Sequence, residues 1–373
     1  MTFDLIGGIF ILKGIIQQQQ EIKMDHANFH MEEIACSIER EGLKMYDIKK
    51  HPAFRIYGVY HDGACYRRIP ADVAESTNER VIRLSKNTAG GRVRFITDSP
   101  YIVIRADYTR CGVMTHMAAT GVGGFDVYIY EDGKEVYDST FRPFLPENSE
   151  GGYQGVRDFP NSSMKTININ FPLYNPVHDL FIGIKEGSAL LTAPDYKIEK
   201  PIVYYGSSIT QGGCASRPGM AYEAHVTRRF DINHINLGFA GAARAEDAIM
   251  DYIAGLDMSA FVYDYDHNAP TVEHLAATHE NGFKRIREAH PRIPIIMMSR
   301  PKFRKTEDEI ERARIIKATY DNAKAAGDLN VYFIDGSELC PDNDTTVDDC
   351  HPNDYGFKCL SERLITELEK IIK

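Results

Sequence analysis

Residues 203–213 read VYYGSSITQGG. Strand-forming residues run into a glycine, two adjacent serines, and then two more glycines. A buried strand that ends on so permissive a turn has two readings. In the plain one, a glycine-flanked serine turn lets the chain reverse. In the other, the turn lifts one hydroxyl clear of the backbone so that it can attack a substrate. The surrounding sequence decides between them.

Downstream, apolar segments at 201–205, 233–237, 260–265, 293–298 and 331–335 alternate with helical stretches at 220–230, 245–255, 271–289, 307–326 and 354–372. That alternation predicts a parallel sheet with helices on both faces. Upstream, from Phe54 to Lys185, the period is two. GRVRFITDS (91–99), YIVIRADY (101–108), FDVYIYEDGKEVYDST (125–140), KTININF (165–171) and DLFIGIK (179–185) read as short alternating strands. Asp132-Gly133 is a type I′ hairpin signal inside the third of these. Many short strands with turns between them predict an antiparallel β-sandwich, jelly-roll-like. The polar connection APDYKIEKP places the boundary near 195–200. The expected organisation is therefore an extension over 1–23, a sandwich domain over 24–197, and an α/β domain with a flavodoxin-like parallel sheet over 198–373.

The 373-residue length suits two domains. A hydrophobic content of 43% lets each of them bury a core. The formal net charge of −10 argues against nucleic acid or an anionic membrane surface as the main partner. Seven cysteines without C-x-x-C spacing give no zinc site and no dense disulfide framework. The N-terminal LIGGIFILKGII is too short to span a bilayer. No basic residue precedes it and no A-x-A-like site follows, so a cytoplasmic protein is expected, with folded sequence beginning near Met24.

In an open α/β sheet, ligands gather at the carboxyl ends of the strands. The first predicted strand ends at Gly206-Ser207-Ser208. The second ends in NLGFAGAARAED, the third in YDYDHNAP, and VDDCHPNDYGF precedes the last helix. A hydroxyl, a glycine amide, a carboxamide and an Asp-x-x-His pair thus fall at corresponding ends of one sheet. These are the parts that serine acyl transfer requires.

Residues 201–373 resemble the SGNH, or GDSL-type, hydrolases, whose motifs supply a serine, a glycine, an asparagine and a histidine from four blocks. GSSITQGG resembles the first block, G-D-S-x-T-x-G, which points to Ser208 rather than Ser207 as nucleophile. Gly241 in NLGFAG matches the second-block glycine, and Asn268 matches the third-block asparagine. DDCHP fits the final D-x-x-H-P and supplies Asp348 and His351. Two positions depart from the pattern: Ser207 replaces the aspartate of G-D-S, and Asp266-His267-Asn268-Ala269 replaces G-x-N-D. GGFDVYIY resembles the G-x-D-L-Y-type β-sandwich domain that precedes certain SGNH esterases. The two-domain plan is similar to that of some bacterial carbohydrate acetylesterases.

The resemblance implies a Ser208–His351–Asp348 triad and an oxyanion hole formed by the Ser208 amide, the Gly241 amide and the Asn268 carboxamide. It also implies a cofactor- and metal-independent esterase acting on a short-chain, acetyl-type ester of a carbohydrate-like substrate. Two alternatives stand beside it: a lysophospholipase or thioesterase of the same fold, and a non-catalytic glycan-binding protein. The absence of tryptophan counts against the second. A metal site built from DYDH and DDCHPND has no recognised ligand spacing. If Ser208 and His351 pair, the loops carrying Cys214 and Cys350 converge. A disulfide between these two cysteines is then an open expectation beside two separate thiols.

Overall fold

The computed structural model describes residues 34–144 and 150–372. The expected extension over 1–23 lies outside the described residues. The first half opens with β1 (Leu43–Asp47), β2 (Arg55–Tyr57) and a small ladder of β3 (Tyr60–His61) and β4 (Tyr66–Arg67). Two short helices follow, α1 (Ala71–Glu75) and α2 (Glu79–Leu84). Next come β5 (Arg92–Thr97), β6 (Tyr101–Asp107), a turn of helix α3 (Ala119–Val122), β7 (Phe125–Glu131) and β8 (Lys134–Phe141). The half closes with β9 (Tyr153–Asp158), β10 (Lys165–Asn170), β11 (Asp179–Lys185) and β12 (Leu190–Leu191).

These strands form two antiparallel sheets, one ordered β1-β11-β6-β9 and the other β12-β5-β10-β7-β8, with β2 added on β5. Their inner faces share one core, to which Val93, Phe95, Ile104, Val127, Ile169 and Ile182 contribute. At the hairpin, Glu131 pairs with Lys134 across a two-residue loop. Asp132 and Gly133 both take positive φ, 48° and 81°, as a type I′ turn demands.

The second half is the predicted alternation. β13 (Ile198–Gly206) leads through α4 (Ser208–Gln211) and α5 (Tyr222–Phe230) to β14 (Ile232–Gly238). Then come α6 (Asp247–Ala254), β15 (Ala260–Asp264), α7 (Val272–Ala289), β16 (Ile295–Met298), α8 (Glu307–Ala325), β17 (Val331–Ile334) and α9 (Asp354–Leu368). All neighbouring strands of this five-stranded sheet are parallel, in the order β14-β13-β15-β16-β17. Numbered within the sheet this is 2-1-3-4-5, the flavodoxin-like order, with its switch point beside the first strand. Side chains alternate between the faces. Val203, Tyr205 and Phe261 pack beneath α6, α7 and α8, while Ile202, Tyr204 and Val262 pack against α5 and α9.

The change in period near residue 198 is a boundary in sequence but not in packing. Ile69, Ala74, Val81 and Leu84, from the first half, lie in the same core as Tyr205, Phe239 and Ile249. On the other face Ala89, Val122 and Leu173 join Tyr204 and Tyr222. Residues 36–373 form one compact unit. Arg68 is fully buried where the halves meet and donates to the carbonyls of Leu84 at 2.6 Å, Asn87 at 2.8 Å and Gly238 at 2.5 Å.

Candidate active site

Gly206 ends β13 at a point where no side chain fits. A Cβ there would stand 2.0 Å from Thr210 Oγ1 and 2.3 Å from the Asp264 carbonyl. Ser207 is fully buried and caps α4, its hydroxyl accepting from the Ile209 amide at 3.2 Å. The two serines of the turn therefore differ: one holds the helix start, and the other, Ser208, remains partly exposed. The Ser208 carbonyl accepts from the Gly213 amide at 2.7 Å and from the Tyr174 hydroxyl at 3.0 Å, which fixes the turn against the first half.

Ser208 Oγ lies 2.9 Å from His351 Nε2, and His351 Nδ1 lies 2.8 Å from Asp348 Oδ2. Both groups on His351 arrive through the turn that precedes α9. Asp348 Oδ1 accepts from the amides of Cys350 at 3.2 Å and His351 at 2.8 Å, while Val347 donates to the His351 carbonyl at 2.9 Å. Burial pushes the Asp348 carboxyl up. The hydrogen bonds from the His351 amide and ring outweigh it and hold the carboxyl below its usual range. Asp348 is thus ionised, which orients the His351 ring with Nδ1 as donor and Nε2 free to accept from Ser208.

Gly206 pairs in register with Gly238 on one side and Asp264 on the other, so three strand ends stand side by side. Gly241 follows β14 and has φ +66°; a Cβ there would stand 2.9 Å from the Arg80 guanidinium carbon. Asn268 follows β15. Its Oδ1 accepts from the Ala243 amide at 3.3 Å, which ties the two turns together and leaves its NH₂ as the outward donor. Among the described residues, the Ser208 amide, the Gly241 amide and the Asn268 NH₂ have no hydrogen-bond acceptor.

Several residues at the site carried no sequence signal. Asp266 is buried, and its Oδ2 accepts from the Arg300 amide at 2.9 Å. Arg312 donates to the carbonyls of Asp266 and Ala269, both at 3.1 Å, and so clamps the turn that carries Asn268. This clamp occupies Asp266, the second carboxylate of DYDHN, with Arg300 and Arg312, so that side chain holds the turn. Arg80 and His116 approach from the first half. The His116 ring centroid is 5.3 Å from that of His351.

All seven cysteines are free thiols. The expected convergence of the Cys214 and Cys350 loops occurs, but without a disulfide. Cys350 Sγ faces His267 Nδ1 at 3.7 Å, whereas Cys214 faces His116 and His351. Burial and the Asp348 charge push the Cys214 thiol up to about 12. Burial, helped by Arg300, holds His267 well below its ordinary value, so it is neutral.

Residues 199–373 match the GDSL-like lipase/acylhydrolase family, and residues 22–190 match the GxDLY domain found at the N-terminus of SGNH-hydrolase-type esterases. Residues 199–373 are a GDSL (SGNH) hydrolase domain. A GDSL-like lipase from Bacteroides ovatus is similar in structure at 26% identity, with 88% of this chain and 98% of that one aligned and a TM-score of 0.79. A salicylyl-acyltransferase from a tetracycline biosynthetic pathway aligns over 89% of this chain and 98% of its own, at 18% identity and a TM-score of 0.72. An acetyl xylan esterase from the rumen bacterium Butyrivibrio proteoclasticus aligns over 88% and 98%, at 13% identity and a TM-score of 0.57. The last two share the fold. No curated protein matches the chain in sequence. As a GDSL hydrolase the protein is an ester-hydrolysing enzyme, with the family's α/β sheet following an antiparallel sandwich.

Proposed function

We propose that the protein is a serine esterase that removes a short acyl group, acetyl foremost, from a carbohydrate-like alcohol. The observation that carries this reading is the hydrogen-bonded chain Ser208–His351–Asp348 set beside three donors that have no acceptor of their own. His351 Nε2 takes the Ser208 proton as Oγ attacks the ester carbon. The negative oxygen that forms meets the Ser208 and Gly241 amides and the Asn268 NH₂. On collapse, His351 returns the proton to the leaving alkoxide, and an acyl group remains on Ser208. Water then repeats the sequence with His351 again as base. Asp348 stabilises the imidazolium in both steps. Each oxyanion donor contributes roughly 3–4 kcal/mol to the transition state.

The carbohydrate assignment draws on the shared architecture with acetyl xylan esterase and on the surface that the sandwich half brings to the rim of the site. Hydrolysis of p-nitrophenyl esters of increasing chain length by wild type and Ser208→Ala tests the reaction, and a panel of acetylated sugars tests the alcohol. Cleavage of acetyl esters that vanishes in Ser208→Ala is expected. A preference for long acyl chains would favour the lysophospholipase reading instead, and wild type without hydrolytic activity would favour a glycan-binding protein.

A further inference from the structure

Beside the proposed base lies a second constellation that the esterase reading does not use. One ligand atom each from His116, Cys214 and His351 lie within 4.8 Å of one another. They come from three distant stretches: the segment between β6 and α3, the turn after α4, and the turn before α9. Neither the His116 ring nor the Cys214 thiol has a hydrogen-bond partner among the described residues. Cys214 also takes φ +77°, a conformation that L-residues other than glycine seldom adopt. Holding it there costs on the order of 1–3 kcal/mol, a kind of strain that concentrates at functional sites.

We propose that these three side chains form a binding site for a borderline-soft divalent cation, zinc foremost, and that its occupation switches the esterase off. Two imidazoles and a thiolate select zinc or cobalt over magnesium or calcium. Bonds of about 2.0–2.3 Å place neighbouring ligand atoms roughly 3.3–3.8 Å apart in a tetrahedron, so the cluster closes by about 1 Å. The Asp348 carboxylate at 2.8 Å from Nδ1 gives His351 the outer support typical of metal-bound histidines. As the Cys214 Sγ–metal bond forms, the thiol proton passes to solvent. The His351 Nε2 lone pair that accepts from Ser208 is given to the metal instead, and the hydroxyl loses its base. The fourth position faces Ser208 Oγ or water.

Binding rests on geometry alone, whereas inhibition rests on the esterase reading, and two measurements keep them separate. The first is Co²⁺ titration of the full chain, read by the thiolate-to-cobalt charge-transfer absorption. The band is expected in wild type and in Cys350→Ser, and is expected to vanish in Cys214→Ser. The second is Zn²⁺ titration of p-nitrophenyl acetate hydrolysis. Wild type is expected to be inhibited and to recover on EDTA addition. Cys214→Ser is expected to hydrolyse at a near wild-type rate without metal, and both it and His116→Asn are expected to need at least tenfold more Zn²⁺ than wild type for half-inhibition. Absence of the cobalt band, its persistence in Cys214→Ser, or equal zinc sensitivity in all three proteins overturns the proposal. Should wild type hydrolyse nothing, the esterase reading falls, and the cobalt spectrum alone decides the site.

Discussion

On the parallel-sheet side of the site, the turns that carry Ser208, Asn268 and His351, the proposed reacting groups, are each tied down more than once. The Ser208 turn is held by Gly213 and Tyr174, the Asn268 turn by Arg312 and Ala243, and the His351 turn by both oxygens of Asp348. The sandwich side is held more lightly. The segment carrying His116 is anchored by the Gly112 amide on Asn175 at 3.0 Å and leaves Val113 69% exposed. Arg80 is exposed, and its guanidinium has no carboxylate partner among the described residues. Chemistry that tolerates little displacement thus stands on the rigid half, and the more adaptable contacts come from the other half. Under the proposed function, catalysis would fall to one half and substrate choice to the other.

The largest test of that division is Ser208→Ala beside Ser207→Ala. The first should lose at least about 10⁴-fold in kcat with an unchanged melting temperature. The second should keep most activity while losing about 1 kcal/mol of stability with the α4 cap, as thermal unfolding would show. Reversed phenotypes would mean that the turn presents the other hydroxyl. Asn268→Ala should lower kcat roughly a hundredfold or more with little change in KM, because its NH₂ acts on the transition state alone. An unchanged kcat would remove it from the oxyanion hole.

A smaller effect of the opposite kind is expected at Arg80. Arg80→Ala should raise KM a few-fold while kcat stays within about twofold, the signature of a contact made equally in ground and transition states. A kcat loss as large as that of Asn268→Ala would erase the distinction between the two sides.

The smallest effect concerns pH. Burial raises the Asp264 carboxyl well above its ordinary value, so the folded protein keeps a proton that the unfolded chain gives up. Stability from this group is full below the ordinary carboxylate range and is lost as pH rises toward the raised value. Asp264→Asn removes the loss. Its melting temperature relative to wild type should therefore climb between pH 4 and pH 8, and a flat difference would show the carboxyl ionised in place.

Much of the rigid side was legible before any coordinates. Strand ends of a parallel sheet fall at predictable points in the chain, so periodicity placed the four loops at one edge, and the resemblance to the SGNH blocks singled out Ser208, Gly241, Asn268 and the Asp348–His351 pair within them. The departure at Asp266 obscured only the motif. In the structure, the aspartate is the acceptor by which Arg300 and Arg312 hold the turn, a relation spanning 34 and 46 residues that leaves no local pattern. Arg80, His116 and Tyr174 were illegible for the same reason. They reach the site only because two differently built halves dock, and docking is written in shape rather than in period. The strands β1, β2 and β9 went unread because their apolar positions are too few to stand out from the turns beside them.

The shared core bears on how such a protein can be cut and recombined. α1 and α2 lie more than a hundred residues before β13, yet Val81 and Leu84 cover the same apolar surface as Phe239 and Ile249. A fragment starting at residue 198 would carry every proposed catalytic group and still expose a greasy wound where those helices belong. Grafting the sandwich of one relative onto the sheet of another would reopen it unless residues 69–89 travelled with the sheet they shield. The heritable module here is the pair of halves, and a calorimeter should see it melt as one peak.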